Sequence, residues 1–373
     1  MQVDAAVIGG GVIGLAVAMR LARGGMDVAL LERHDSFGRE ASSRNSEVVH
    51  AGMYYPTGSI KARLCVAGNL ALYAWCDAHG VRYRRIGKFI VATSPDESPA
   101  LEAILARGVA NGVQGLRWAA AGELAREEPE VRAAAALWSP FTGIIDSHGF
   151  MQSLADEAAA HGALLGWGHA YAGAERTADG YEVRYRSPEG LEERMTASRV
   201  VNAAGLAADE VAAGMGLDID ALQYRLCFVR GCYFRLSDRW TGRLAHLVYP
   251  VPHAGLSGLG VHVTVDLAGG ARLGPDVEVL AEKVQDYRVA SDRAEAFARA
   301  AGTYLPNLRL EDIRPDQAGI RARRVVPGGG APDFIIAEEG GRGLPGWVNL
   351  VGIESPGLTC ALPLADTVYA LLA

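Results

Sequence analysis

The chain has 373 residues, half of them hydrophobic, and 36 basic against 43 acidic side chains, a formal net charge of −7. That is ample for a large buried core split between two domains. The acidic balance and the lack of a basic stripe exclude an ordinary nucleic-acid binder. Five cysteines (Cys65, Cys76, Cys227, Cys232, Cys360) form no CxxC and are odd in number, which points to a reducing, cytoplasmic compartment and away from disulfides or zinc. No apolar run reaches the roughly 18–20 residues of a membrane span. The apolar stretch Ala5–Met19 lacks the basic leader of a signal peptide.

The segment DAAVIGGGVIGLAVAMRLARGGMDVALLER opens with a short apolar strand, Ala5–Ile8. A helix follows over Val12–Ala22, stopped by Gly24–Gly25, and then a second apolar strand, Val28–Leu31, ending at Glu32. This is a βαβ unit with parallel strands. Gly9, Gly11 and Gly14 fit G-x-G-x-x-G: the first permits a tight turn, the second lets backbone approach a pyrophosphate, and the third lets helix pack on strand. The helix N-terminus presents free N–H groups to the anion. Glu32 closes the second strand, where a carboxylate can accept from ribose hydroxyls.

Further along, GNLALYAWCDAHG reads as a helix closed by Gly80, GKFIVATS as a strand and SPALEAILARGVANG as a helix with proline near its start. GFMQSLADEAAAHGA is a helix with Phe150, Leu154 and Ala158 inward. YEVRYR and EERMTASRVVNAAG form a hairpin that runs into a buried strand. RGCYFRLS, LVYPVP and LGVHVTVD alternate as strands of an antiparallel sheet, and WVNLVGIESPGLTCALPLADTVYALL is strand, loop and closing helix. No linker separates two halves. Nucleotide-domain features stand at the start, near residue 200 and at the end, so the domains interleave: 1–86, 145–222 and 316–373 in a Rossmann-like α/β cofactor domain, 87–144 and 223–315 in an antiparallel-sheet substrate domain. A dinucleotide gripped by the glycine turn, by Ala204 and Gly205, and by the Gly-rich C-terminal loop favours tightly held FAD over exchanging NAD.

Five motifs carry a resemblance: SSRNSEVVHAGMYYPTGSIKARLC, GIIDSHGFMQSLADEAAAHGA, VVNAAGLAAD, VYPVPHAGLSGLGVHVTVDLAGGARLGPD and GIESPGLT. The chain resembles the FAD-dependent oxidoreductases of the D-amino-acid oxidase/glycine oxidase superfamily, and within it the L-2-hydroxyglutarate dehydrogenase/oxidase group. One departure stands out. Where the family often has Tyr-Ala-Gly-Ile-Arg-Pro, this chain has Gln317-Ala318-Gly319-Ile320-Arg321-Ala322.

The resemblance implies non-covalent FAD and oxidation of a 2-hydroxy acid, L-2-hydroxyglutarate first, with hydride passing to flavin N5 and a base taking the hydroxyl proton. An amine or amino-acid oxidase of the same fold is the alternative, and a non-catalytic flavin-binding subunit is another of a different class. Arg321 is the expected carboxylate anchor, His50 and His262 are rival bases, and Tyr249 lies on a strand next to His262. Tyr54, Tyr55 and Lys61 are expected to line the substrate cavity, with Lys61 near a distal carboxylate. The expected cofactor contacts are Glu32, Arg33, Ser42, Ser43, Arg44 and Asn45 early in the chain, and Gly352, Glu354, Ser355, Gly357, Leu358 and Thr359 late in it. No metal is expected. The electron acceptor is oxygen or a quinone, any membrane contact is peripheral, and the edge strands would permit a homo-oligomer.

Overall fold

The structure is a computed structural model and describes residues 1–251, 261–328 and 332–373. The middle of the fourth family motif, 252–260, lies outside the described residues. The chain divides into two compact units, each built from separate segments. The first comprises Met1–Ser43, Ser147–Phe228 and Arg321–Ala373, and the second Arg44–Asp146 and Val229–Ile320. Residues 44–86, placed with the cofactor domain in the sequence reading, pack in the second unit instead, and the other boundaries differ by a few residues. The chain leaves the first unit at a loop with no linker composition, which is why the sequence does not mark the exit.

In the first unit a parallel sheet runs in the order Leu164–Trp167, Val28–Glu32, Gln2–Ile8, Glu192–Asn202, Leu344–Val351, with Ile8 facing Leu31 on one side and Asn202 on the other. Val28–Glu32 is buried throughout, as a strand covered on both faces must be. The hairpin Ala170–Thr177/Gly180–Arg186 extends the Glu192–Asn202 strand antiparallel, and Ile335–Glu339 does the same for Leu344–Val351. The helix Val12–Arg23 packs against Ser147–Ala160 and Gly357–Leu372. Buried amides tie the strand ends together. Asn202 Nδ2 donates to Asn349 Oδ1 at 2.8 Å, and Asn349 Nδ2 donates to Glu339 Oε1 at 2.9 Å.

The second unit holds a mixed sheet. Its expected antiparallel strands are present, but at its centre Lys88–Ala92 runs parallel to Leu247–Pro250, with Tyr249 opposite Ile90. Val263–Val265 joins the far edge of Leu247–Pro250 antiparallel, and Ala135–Ser139 pairs the other side of Lys88–Ala92. The helix Ile60–His79 starts where Ser59 Oγ accepts from Ala62 N at 3.1 Å and ends at Gly80, which takes φ 66°. A small sheet of Val48–Val49, Gly143–Ile145 and Tyr83–Arg84 leads the chain towards His50.

Strand and helix meet most tightly at Gly14, where an added Cβ would stand 1.9 Å from the Gly9 carbonyl oxygen. Gly14→Ala therefore should cost about 1–3 kcal/mol as overpacking. Gly214, at the end of the helix Ala208–Gly214, has no neighbour within 4 Å of a Cβ, and Gly214→Ala should be neutral or stabilising by up to about 1 kcal/mol. Denaturant unfolding of the two variants side by side checks this, and equal stabilities would refute the close-approach argument.

Candidate active site

The glycine turn presents backbone where a side chain would intrude. Gly9 adopts φ +104°, and a Cβ there would lie 2.5 Å from Ala203 O; at Gly11 it would lie 2.9 Å from Ser42 Oγ. Ser42, expected as a cofactor contact, reaches the turn and accepts from Val12 N at 3.0 Å, capping the helix. The N–H groups of Ile13 and Gly14 have no helical carbonyl behind them. Glu32 is buried; its Oε2 accepts from Gly10 N at 2.6 Å and its Oε1 from His34 N at 2.8 Å, so its carboxylate braces the turn from below. Arg33 is exposed and paired with Glu40, and Ser43 Oγ donates to Glu40 O at 3.3 Å. These residues fit a dinucleotide pyrophosphate: close-lying glycine backbone and helix N–H groups open to an anion, with the Glu32 carboxylate committed to bracing the turn.

Two more segments of this unit carry expected contacts. Gly205 takes φ 55° just after the strand Glu192–Asn202, with Ala204 before it. In the C-terminal loop Gly352 takes φ +72°, and a Cβ there would meet the Arg324 side chain at 2.6 Å. Glu354 pairs with Arg323 at 3.4 Å, and Ser355 is exposed. Gly357 and Leu358 open the helix Gly357–Leu372, with Thr359 and Cys360 buried behind them. Arg321 is partly exposed in mid-strand and, unlike Arg323, forms no ion pair among the described residues.

The second unit gathers the other candidates. His50 follows the strand Val48–Val49, and Asn69 Nδ2 fixes its carbonyl at 2.9 Å while also donating to Phe141 O. Asn111 Nδ2 holds Gly52 O and Tyr55 O at 3.0 and 2.9 Å, so the His50–Tyr55 loop is tied to two helices. Burial, with the nearby Lys88 charge adding to it, pushes His50 down to about 3, and the imidazole is neutral through the physiological range. His262 stacks face to face on Tyr249, with centroids 3.7 Å apart and planes 8° apart. Tyr54 is packed with its hydroxyl buried and without a hydrogen-bond partner, and burial pushes its ionisation far up. Lys61 is only 4 % exposed, in the first turn of the helix Ile60–His79.

The polar loop that carries Ser42 and Ser43 passes into this unit at Arg44. The Arg44 guanidinium lies 4.0 Å over the Tyr287 ring, and its Nε has no partner. Asn45 Oδ1 accepts from Glu47 N at 2.6 Å, and Asn45 O accepts from Gln317 Nε2 at 3.0 Å. The departure at Gln317 thus has a structural use, and Gly319 is required beside it because a Cβ would stand 2.1 Å from Arg44 O.

The sequence reading passed over Lys88. It is 0 % exposed, its Nζ has no hydrogen-bond partner among the described residues, and it sits 4.6 Å from the Tyr54 ring and 4.5 Å from the Tyr249 ring. Burial pushes its amine down to about 7. The available signal was a lysine opening the otherwise apolar strand KFIVA, buried at every position.

The family model for FAD dependent oxidoreductases matches residues 4–371. The chain is 40 % identical to the mitochondrial L-2-hydroxyglutarate dehydrogenase of Arabidopsis thaliana, over 98 % of this chain and 82 % of that protein. It is 32 % identical to the L-2-hydroxyglutarate dehydrogenase of Escherichia coli K12, over 97 % and 91 %. Among solved structures it is similar to FAD-bound L-alpha-glycerophosphate oxidase from Mycoplasma pneumoniae (TM-score 0.87, 25 % identity, 100 % and 95 % covered). The glycine oxidase of Geobacillus kaustophilus, at TM-score 0.80 and 21 % identity over 100 % and 94 %, shares the fold. With the glycine turn and its cradle in place, the chain belongs to the DAO family of FAD dependent oxidoreductases.

Proposed function

We propose that the protein oxidises L-2-hydroxyglutarate to 2-oxoglutarate. The observation that carries this is the likeness to proteins named L-2-hydroxyglutarate dehydrogenase along almost the whole chain. Glycine oxidase, at 21 % identity, lends the fold and not the substrate. FAD, when bound, supplies the acceptor for the hydride of substrate C2. It would be held by the turn Gly9–Gly14 with Glu32 and Ser42, by Ser43, Arg44 and Asn45, by Ala204 and Gly205, and by the loop Gly352–Thr359.

The chain's own residues bind, orient and move a proton. Arg321, with no carboxylate of its own, anchors the substrate carboxylate through its two-pronged guanidinium. His50 takes the hydroxyl proton on an imidazole nitrogen. Its neutral state leaves it ready to accept, and its fixed backbone holds its position. His262, stacked on Tyr249, supports the wall of the site and is the second base candidate. Tyr54, Tyr55 and Lys61 are further substrate contacts in this reading. The acceptor that reoxidises the cofactor is oxygen or a quinone. Among the described residues no helix is long and apolar enough to cross a membrane, so we place any membrane contact at the surface. The five cysteines form no disulfide, which supports a cytoplasmic setting.

Anaerobic addition of L-2-hydroxyglutarate to the yellow holoprotein should bleach the flavin band. A band that stays would keep fold and cofactor and overturn the substrate. Arg321→Lys should raise KM about tenfold to a hundredfold while FAD stays bound, because lysine cannot form the paired hydrogen bonds; unchanged kinetics would remove Arg321 from the site. His50→Ala should slow flavin reduction roughly 10²–10⁴-fold, with His262→Ala falling well short of that. The reverse order would make His262 the base, and two fast variants would end the histidine mechanism.

A further inference from the structure

Buried polar atoms without partners are rare in a folded chain, and several on one surface point to a group that satisfies them. The second unit carries such a set on one face of its central sheet. Lys88 lies opposite Ser139 on one neighbouring strand and Leu247 on the other, and Ile90 lies opposite Tyr249. Val248 pairs with Val263, which sets Thr264 beside Leu247. Paired residues share a face, and side chains alternate along each strand. Lys88, Tyr249 and Thr264 therefore project from one face, and Phe89, Val248 and Val263 from the other. Lys88 Nζ, Thr264 Oγ1 and the hydroxyl of Tyr54, whose ring lies against Lys88, are buried with no hydrogen-bond partner among the described residues.

Lys88 decides the chemistry of that group. Its Nζ stands 4.6 Å from the centre of the Tyr54 ring and 4.5 Å from that of Tyr249. Ring faces attract a cation but give an ammonium no lone-pair acceptor. Among the described residues no carboxylate lies at ion-pair distance from it. A structural lysine would be paired or would extend its head to water, and this one is 0 % exposed. An ammonium offers only donors, and a phenol adds one more beside it. A carboxylate, with a negative charge and two acceptor oxygens, completes both. Burial pushes the amine down to about 7, and a carboxylate beside it would hold its charge in place.

We propose that Lys88, with the Tyr54 hydroxyl, binds the second carboxylate of the substrate, the one remote from the carbon that is oxidised, and so selects a dicarboxylic 2-hydroxy acid over a monocarboxylic one. The inference rests on the L-2-hydroxyglutarate reading and assigns the carboxylate that Arg321 leaves unmatched. An acid ending in a methyl group would leave the buried amine and hydroxyl unsatisfied. Sites built on such groups reject a ligand that fails to complete them far more strongly than an apolar pocket rejects a difference in size. Lys88 moves neither the proton nor the hydride. It binds and orients, so its loss appears in affinity and selectivity rather than in the rate of the bound complex. Lys61, the cation that the sequence places near this carboxylate, is the competitor.

The test compares L-2-hydroxyglutarate with L-2-hydroxyvalerate, which has a methyl group in place of the second carboxylate, in anaerobic flavin reduction by the holoprotein. The wild type should favour the diacid about a hundredfold or more at low substrate. Lys88→Met, which keeps the length and removes the charge, should raise the half-saturating concentration of the diacid about tenfold to a hundredfold. Its limiting reduction rate should stay within about threefold, and reduction by hydroxyvalerate should not slow, so the selectivity collapses. Tyr54→Phe should weaken the diacid about tenfold in the same manner, and it carries the test should Lys88→Met fail to retain FAD. Titration of the oxidised holoprotein with 2-oxoglutarate and with 2-oxovalerate, read from the flavin spectrum, measures affinity without turnover. Only the diacid should weaken in the two variants. A wild type that oxidises both acids without preference, selectivity kept in both variants, or both acids weakened equally would overturn the proposal. So would selectivity lost in Lys61→Met and kept in Lys88→Met. A wild-type flavin that neither acid reduces would instead overturn the substrate reading beneath it.

Discussion

The contact between Gly14 and the Gly9 carbonyl is the constraint on which the cofactor half of the molecule depends. With room for no Cβ between them, the helix Val12–Arg23 starts directly against the strand Gln2–Ile8. Its N-terminus then opens at the carboxyl edge of the parallel sheet, the place where open α/β sheets bind ligands. Two side chains are committed to holding that arrangement. Glu32 takes up Gly10 N–H and Ser42 takes up Val12 N–H. Both are polar groups that sequence logic assigns to the ligand, and in the fold each also satisfies backbone that the tight turn leaves without partners. Removing either would disturb the cradle before it disturbed a ligand contact.

The second unit solves an opposite problem. Its core is apolar, and an imidazole held there must avoid becoming a trapped cation. Burial alone keeps His50 neutral, and Lys88 adds to that by like charge. The cost of an unpaired amine is limited because burial lowers its proton affinity as well. Around Lys88 the rings of Tyr54 and Tyr249 supply polarisable faces, and His262 stacks on Tyr249. The backbone clamps from Asn69 and Asn111 fix the loop that carries His50.

Much of this was legible because it is local. The glycine spacing, the acid closing Val28–Glu32, the helix stopped at Gly80 and the pairing of Leu247–Pro250 with Val263–Val265, just after His262, all follow from short-range pattern. What escaped is non-local. The switch between units after Ser43 occurs inside a polar loop that reads the same on both sides. The parallel pairing of Lys88–Ala92 with Leu247–Pro250 joins segments far apart in sequence, and period-two alternation cannot tell a parallel neighbour from an antiparallel one. Lys88 was invisible for the same reason: its strand was recognisable, but the rings that enclose it come from a loop and a distant strand. Lys61, expected at the substrate cavity, is buried in the first turn of its helix.

The altered sequence around Arg321 shows how a guanidinium can be kept while its flanks change. Gln317, Gly319 and Arg321 alternate along one extended strand, so they share a face. Gln317 anchors that strand to Asn45 O, and Gly319 lets it lie against Arg44 O. Position 317 therefore needs a donor long enough to reach the loop backbone, which an amide supplies as well as a phenol would. Position 319 tolerates no side chain, because backbone rather than a flexible group stands in the way. What the strand must preserve is its distance from the Arg44–Asn45 loop. A substitution at 317 that kept a donor would preserve that distance, whereas any Cβ at 319 would open it.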